Sequence, residues 1–224
     1  MTIDALNLQF LSDLKNNNNR EWFAENKLNY EKHQAKLVSF AEKMMDCLSE
    51  HDKIEYKSGK KSVIRVYRDI RFSKDKSPYK TYSGMGFRRS SQLLRGGYYL
   101  HIEPGNSFVG GGFWEPNKED LLKIRKGIEF DEGEFRKIIT SEEFVSVFGK
   151  LKGNQLKTCP KGFSKDSSAI DLLRYKQYLL TKEFSDDEVL LDTFFDEADK
   201  VFKAMRPFLD FMSDVLTTDE NGVP

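Results

Sequence analysis

The sequence has little cysteine, no net charge and no long apolar run, and each shortage excludes a class of protein. Two cysteines among 224 residues, without a CxxC pair, exclude a disulfide framework and favour reduced thiols. The longest apolar runs are a few residues, whereas roughly 20 are needed to cross a bilayer. The N-terminal MTIDALNLQFL has no basic segment before an apolar one, so we expect no signal peptide. We therefore expect a cytoplasmic protein with no membrane contact.

Signatures of nucleotide cofactors are also missing. The chain contains no GxxxxGK[ST] phosphate loop, and no GxGxxG opens a helix after a strand. The sequence therefore leaves any cofactor unidentified.

The chain does have enough apolar residues for a core, since 38% are hydrophobic and 13% aromatic. Leu6, Phe10 and Leu14 recur every four residues, which predicts a first helix. Asn18 stands at a capping position, and we expect a second helix from there to about Ser49.

The middle of the chain changes to strand patterns. SVIRVYRDI (62–70) is rich in β-branched residues and predicts a strand. GGYYLHIEPG (96–105) and NSFVGGGFW (106–114) predict a hairpin with a turn at Pro104-Gly105, and a further short strand is expected at 82–87. The sequence therefore predicts a mostly antiparallel sheet.

Three further signals concern the sheet and the end of the chain. The glycine run 110–112 predicts a bulge or the close approach of another backbone or a ligand. Ser185 begins a capping box for a C-terminal helix that Pro207 should kink or divide. Together the patterns predict a single α+β domain over 1–224, with its core at about 6–216. Its central sheet should be covered by the N-terminal and C-terminal helices.

Charge is segregated although it balances. Residues 57–95 hold twelve basic and two acidic residues, whereas 183–220 hold twelve acidic and three basic ones. This asymmetry favours an anion-facing surface in the first region. The alternative is that the two regions neutralise each other within a fold or across a dimer.

The densest cluster of charge is RVYRDIRFSKDKSPYK, residues 65–80. In a strand, side chains alternate between faces, so Arg65, Tyr67, Asp69 and Arg71 would share one face. Asp69 is then placed to orient Arg71 by a bidentate bond. Arginine forks and lysine ammonium groups suit a phosphate-bearing ligand. The alternative is an exposed basic edge strand that prevents aggregation.

These residues define the candidate site. The predicted ligand-binding residues are Arg65, Arg68, Arg71, Lys74, Lys76, Tyr79 and Lys80. Asp69 and Asp75 are candidates for orienting the cations or for acting as a base. His101 and Glu103 share one face of a predicted strand, so they are candidates for a base with its orienter or for two metal ligands.

Several blocks resemble one protein family. NNNNREWFAENKLNY, RVYRDIRFSKDKSPYKTY, LKTCPKGFSKD and DLLRYKQY follow one another in the order found in domain of unknown function family 2461 of bacteria and fungi. The resemblance covers nearly the whole chain and implies a single domain without an assigned reaction. Ser167 and Ser168 stand where members of that family often have His-Pro, which puts a mechanism using that histidine in doubt.

Three hypotheses remain open. The first is a cytoplasmic protein that binds an anionic small molecule at residues 65–80, with or without catalysis. The second is a nucleic-acid-binding protein, in which Tyr67, Tyr79 and Tyr82 would stack on bases between the cations. The third is a protein-interaction module or homodimer that joins the basic and acidic faces. The sequence does not fix the oligomeric state.

Overall fold

One antiparallel sheet of four strands and a set of helices make up residues 2–56 and 58–218, which a computed structural model describes. The strands are β1 (Ser83–Arg88), β2 (Gly97–Ile102), β3 (Ser107–Phe113) and β4 (Tyr178–Phe184), paired in the order β1-β2-β3-β4. The helices are α1 (Ala5–Asn16), α2 (Arg20–Glu25), α3 (Lys27–Ser49), α4 (Gly59–Ser62), α5 (Lys118–Phe130), α6 (Glu132–Ile139), α7 (Glu142–Phe148), α8 (Ile170–Leu173), α9 (Asp186–Leu190), α10 (Phe194–Ala204) and α11 (Arg206–Thr217).

The chain divides into two compact units, and the division falls within the strands. Unit 1 comprises Met1–Phe87, Tyr99–Val109 and Glu183–Lys200. Unit 2 comprises Arg88–Tyr98, Gly110–Lys182 and Val201–Pro224. The expectation of a single domain over 1–224 stays a prediction.

Unit 1 is held together by aromatic and apolar side chains from the N-terminal helices. The rings of Phe10 on α1 and His33 on α3 have centroids 5.0 Å apart, and His33 Nε2 lies 2.8 Å from Ser83 Oγ on β1. Phe194 on α10 lies 6.2 Å from Phe40 on α3, both measured between ring centroids. Burial of these rings stabilises the unit by roughly 25 cal/mol for each Å² removed from water.

Unit 2 packs its C-terminal helices against β2 and α6. The ring centroids of Tyr98 on β2 and Phe202 on α10 are 5.2 Å apart, and those of Phe135 on α6 and Phe211 on α11 are 5.0 Å apart. Helices from both ends of the chain thus contact the sheet, each within its own unit. The predicted α+β fold with an antiparallel sheet is confirmed.

Two of the helix predictions need correction, and one is confirmed. Asn19, not Asn18, caps α2, because its side chain accepts from the Trp22 amide. The long second helix is interrupted at Asn26, which separates α2 from α3. The division of the C-terminal helix at Pro207 is as predicted, with α10 ending at Ala204 and Pro207 in the first turn of α11, but the helix is also interrupted at 191–193, between α9 and α10.

The predicted strand at 62–70 is wrong. Residues 63–80 form an extended loop that pairs only at isolated bridges, Val63 with Met85 and Tyr67 with Tyr79. The returning side of the loop contains Pro78, which has no N–H group and cannot continue a ladder of backbone hydrogen bonds. The β-branched residues therefore favour an extended backbone here, but this backbone does not form a regular strand.

Candidate functional site

The candidate site is the basic loop, residues 65–80, which belongs to unit 1. The loop is narrow at its base, where the Lys80 amide donates to Val66 O at 2.7 Å and the Arg68 amide to Pro78 O at 3.0 Å. Residues 69–77 lie beyond these bonds, with a turn in which the Ser73 amide donates to Ile70 O at 3.3 Å. The loop is therefore ordered by its own hydrogen bonds.

Asn18 attaches the basic loop to the α1–α2 junction. Its side-chain amide donates to Tyr79 O at 3.0 Å, and its Oδ1 accepts from the Tyr79 amide at 3.1 Å. The Tyr79 ring is 5% exposed and stacks on Phe23 with centroids 4.0 Å apart. Burial raises the pKa of the Tyr79 hydroxyl. Tyr79 thus anchors the loop, and its predicted contact with a ligand stays a prediction.

Two of the predicted lysines bond to backbone carbonyls of the loop. Lys80 Nζ donates to Arg65 O at 2.6 Å and to Tyr67 O at 2.9 Å, and Lys76 Nζ donates to Ile70 O at 2.9 Å. Partial burial, and then the charge of Arg65, lower the pKa of Lys80. Arg65 and Lys80 are therefore close enough to repel each other.

Arg68 and Asp75 form a second internal contact. Arg68 Nη1 donates to Ser77 O at 3.1 Å and to the Asp75 carboxylate. The Ser77 hydroxyl and amide donate to Asp75 Oδ1 at 2.5 and 2.9 Å. These two bonds, and then Arg68, lower the pKa of Asp75 to about 2. Asp75 is therefore ionised at neutral pH and holds the turn; its role as a base stays a prediction.

The predicted bidentate bond between Asp69 and Arg71 is present. Arg71 Nε donates to Asp69 Oδ1 at 2.9 Å, and Nη2 donates to Oδ2 at 2.6 Å. These bonds lower the pKa of Asp69, and the charge of Arg65 acts in the same direction. The Arg71 side chain is nevertheless 76% exposed. Asp69 thus fixes the orientation of a guanidinium group that stays open to solvent.

The outer surface of the basic loop combines exposed cations with exposed rings. Within the described residues, the exposed side chains of Arg65 and Lys74 have no hydrogen bond or ion pair. Phe72 is 96% exposed and Tyr67 is 56% exposed. Phe72 was not among the predicted site residues, so the sequence prediction missed its exposure. The polar run SKDKSP that follows it was the available signal.

Other cations of the 57–95 region serve the core of unit 2. The buried Arg89 side chain donates to Ser213 Oγ at 3.1 Å and to the carboxylate of Asp210. Arg95 Nη2 donates to Asp120 Oδ2 at 2.7 Å. At Arg89 the basic and acidic regions therefore neutralise each other, as the alternative interpretation of the charge pattern expected.

His101 and Glu103 are hydrogen-bonded to each other in unit 1. His101 Nε2 lies 3.1 Å from Glu103 Oε2, and His101 Nδ1 lies 3.0 Å from the Tyr99 hydroxyl. Because a carboxylate only accepts, Nε2 carries the proton and Nδ1 accepts from Tyr99. The His101 ring lies between Tyr82 and Phe108, with centroids 4.5 and 4.7 Å away. Burial lowers the pKa of His101, so the imidazole is neutral at pH 7.

Both ring nitrogens of His101 are hydrogen-bonded, one to Tyr99 and the other to Glu103. We expect His101→Phe, which keeps the aromatic stacking, to destabilise the protein by about 1–3 kcal/mol because Tyr99 and Glu103 lose their shared partner. Glu103→Gln keeps an oxygen acceptor and should cost less. Urea unfolding at pH 7 measures both; equal stabilities of the wild type and His101→Phe would contradict a structural role for these two bonds.

A second buried histidine, His33, was not among the predicted site residues. Asn7 Oδ1 accepts from the Asp4 amide, so Asn7 Nδ2 faces His33 Nδ1, 2.8 Å away. Nδ1 must then accept, and Nε2 donates to Ser83 Oγ. His33 cannot remove the Ser83 proton in this tautomer, so the arrangement does not activate Ser83 as a nucleophile. Burial lowers the pKa of His33 to about 4.

The His33–Ser83 pair borders a small pocket with room for about one water molecule. Its lining residues are Phe10, Leu11, Tyr30, His33, Gln34, Ile64, Val66, Tyr82 and Ser83.

Residues 2–56 and 58–218 contain no group of three or more His, Cys, Asp or Glu side chains placed to hold a metal ion. Within the same ranges, each helix is too short or too polar to span a bilayer.

Ser168, where the resemblance leads one to expect proline, has a structural contact in unit 2. Its hydroxyl donates to the Glu132 carboxylate, which also accepts from Arg136 Nε at 2.6 Å. Arg136 Nη2 donates in turn to Asp171 Oδ1 at 2.7 Å and to Ser168 O at 2.9 Å. Ser168 thus helps to fix this loop on α6.

Comparison with known proteins identifies a family for this chain. The family model described as conserved hypothetical protein (DUF2461) matches residues 7–211, which is nearly the whole chain. No curated protein and no solved structure matches the chain. The family resemblance drawn from the sequence motifs is confirmed.

Proposed function

Because the chain belongs to the DUF2461 family, whose description assigns no activity, we propose from the site itself that the basic loop binds the phosphate group of an anionic ligand. The observation that carries the proposal is the bidentate bond of Asp69 to Arg71. Asp69 holds the Arg71 guanidinium group in one orientation, and a guanidinium group oriented in advance suits a phosphate group. The expected cytoplasmic location stays a prediction.

Arg71 retains donors after it has bound Asp69. A guanidinium group has five N–H donors, and Asp69 takes one on Nε and one on Nη2. The two protons of Nη1 and the second proton of Nη2 remain, and they form the end fork of the group. This fork matches two oxygens of a phosphate group, and binding requires little further loss of side-chain freedom.

The neighbouring cations add positive charge to the same surface. The charge of Arg65 lowers the pKa of both Asp69 and Lys80, and Lys80 Nζ donates to Arg65 O, which supports a contribution of Arg65 to the positive charge of this loop. An anion next to Arg65 would offset its repulsion of Lys80. Lys74 is exposed on the same loop. Since this surface is open to water, binding should be sensitive to salt.

Removal of the Arg71 fork should weaken phosphate binding. We expect pyrophosphate to raise the melting temperature of the wild-type protein above that in chloride of equal ionic strength, because it binds only the folded form. In Arg71→Gln we expect its affinity, measured by calorimetry, to fall about 10- to 100-fold, which corresponds to the loss of charge-assisted hydrogen bonds. Arg88→Gln removes one exposed arginine outside the loop and is the matched control.

Asp69→Asn separates geometry from charge. The substitution removes a negative charge, so simple attraction predicts tighter pyrophosphate binding. If the proposal holds, loss of the bidentate bond frees the guanidinium and binding weakens. Tighter binding by Asp69→Asn, together with unchanged binding by Arg71→Gln, would overturn the proposal.

A further inference from the structure

We propose that the phosphate-bearing ligand of the basic loop is a single-stranded nucleic acid, whose unpaired bases stack on Phe72 and Tyr67. The inference rests on the proposed function and adds the ligand class. It starts from the two exposed rings, which phosphate binding alone does not require.

The Tyr67 ring contacts Tyr79, a buried ring that itself stacks on Phe23. Its centroid lies 5.5 Å from that of Tyr79, and Tyr79 stacks on Phe23 at 4.0 Å. Tyr67 is nevertheless 56% exposed to solvent. An exposed ring that contacts buried rings is a ready platform for a base, because stacking then costs little conformational entropy.

Phe72 and Arg71 present an apolar face next to a charged one. Arg71 Cζ lies 5.9 Å from the centroid of the Phe72 ring, and both side chains are exposed. A nucleotide also carries a flat base beside a phosphate group. The exposed cations Arg65 and Lys74 lie on the same loop and can follow the backbone of a strand.

The same features favour single strands over duplexes and over membranes. Bases in a duplex are stacked on each other and offer no free face to an aromatic side chain. A membrane surface needs a larger apolar area than one fully exposed ring.

The sequence hypothesis of nucleic-acid binding assigned the stacking to three tyrosines, and two of them are placed otherwise. Tyr79 is buried against Phe23, and the Tyr82 ring packs on His101. Tyr67 remains from the predicted set, and Phe72 replaces the other two.

The test is fluorescence anisotropy with a labelled oligothymidylate of about 12 nucleotides, a length within the usual range for such sites. We expect binding by the wild type and a 5- to 150-fold weaker affinity for Phe72→Ala, about the value of one stacked base. If Arg65, Arg71 and Lys74 each contact one phosphate, the logarithm of the affinity should fall with the logarithm of the salt concentration with a slope of about −2. Phe130→Ala removes an equally exposed ring on α5 and should bind as the wild type does.

Each outcome decides between the two proposals. If Phe72→Ala binds the oligonucleotide as the wild type does, or if the wild type does not bind it, the inference is overturned. Pyrophosphate binding that still depends on Arg71 then leaves the proposed function standing, whereas its absence removes both. Binding to phosphatidylserine vesicles that requires Phe72, without binding to the oligonucleotide, would instead identify a membrane contact. Circular dichroism and melting temperature verify that each variant is folded.

Discussion

Replacing Gly112 by alanine should destabilise the protein by about 3 kcal/mol or more, the sum of backbone strain and overpacking. Gly112 has φ +111°, which side chains other than that of glycine rarely allow. An added Cβ would also lie 2.3 Å from Tyr178 O and 3.3 Å from Leu179 Cα on β4. Both neighbours are backbone atoms, so no side-chain rotation can relieve the overlap.

Gly133→Ala is the matched control. Gly133 lies in α6, and a Cβ there would meet no heavy atom within 4 Å. Alanine in a helix is favoured over glycine by about 0.8–1 kcal/mol, so this variant should be as stable as the wild type or slightly more so. Urea unfolding followed by circular dichroism measures both. Equal stabilities of Gly112→Ala and Gly133→Ala would show that β3 and β4 do not approach as closely as described.

Acidification from pH 7 to pH 4 should cost the protein up to about 3 kcal/mol through His33 alone. The pKa of His33 falls from 6.5 to about 4 on burial, so the folded state resists protonation more than the unfolded state does. The stabilisation is complete above pH 6.5 and is lost as the pH falls towards 4. Protonation would also set an Nδ1–H against the donor Nδ2 of Asn7.

His33→Gln removes this titration while keeping a side chain that can donate to Ser83. The variant should be less stable than the wild type at pH 7, and its free energy of unfolding should change less between pH 7 and pH 4. Burial also lowers the pKa of His101, so part of the acid sensitivity should persist. Parallel pH profiles for the wild type and His33→Gln would refute the assignment.

Features that depend on neighbours in sequence were predictable. Ser185 forms the expected capping box with Glu188, and the Pro104-Gly105 turn joins β2 to β3. The glycine run indicated the close approach of some backbone or ligand, and Gly112 does lie against β4, but the identity of that distant partner was not predicted. In these cases a local rule of backbone geometry or hydrogen bonding determines the conformation, so composition and spacing carry the information.

Features that join distant residues were not predictable from one sequence. The bond between Asn7 and His33 spans 26 positions, and that between His33 and Ser83 spans 50. The central cluster of cations was recognised and the Asp69–Arg71 bond anticipated, because those two residues are only two apart. Lys76 and Lys80 donate hydrogen bonds to carbonyl groups of the loop. These bonds depend on how the backbone turns, and the alternation of residue types along the sequence does not specify that turn.

The backbone of Tyr79 is attached to the α1–α2 junction by one side chain, that of Asn18. A strand is released from a sheet only when several backbone bonds break together, whereas this tether consists of two bonds from one carboxamide. One torsional rotation of Asn18 breaks both bonds at once. The attachment of the loop to the first helices therefore depends on the rotamer of one asparagine, 61 positions earlier in the chain, together with the stack of Tyr79 on Phe23.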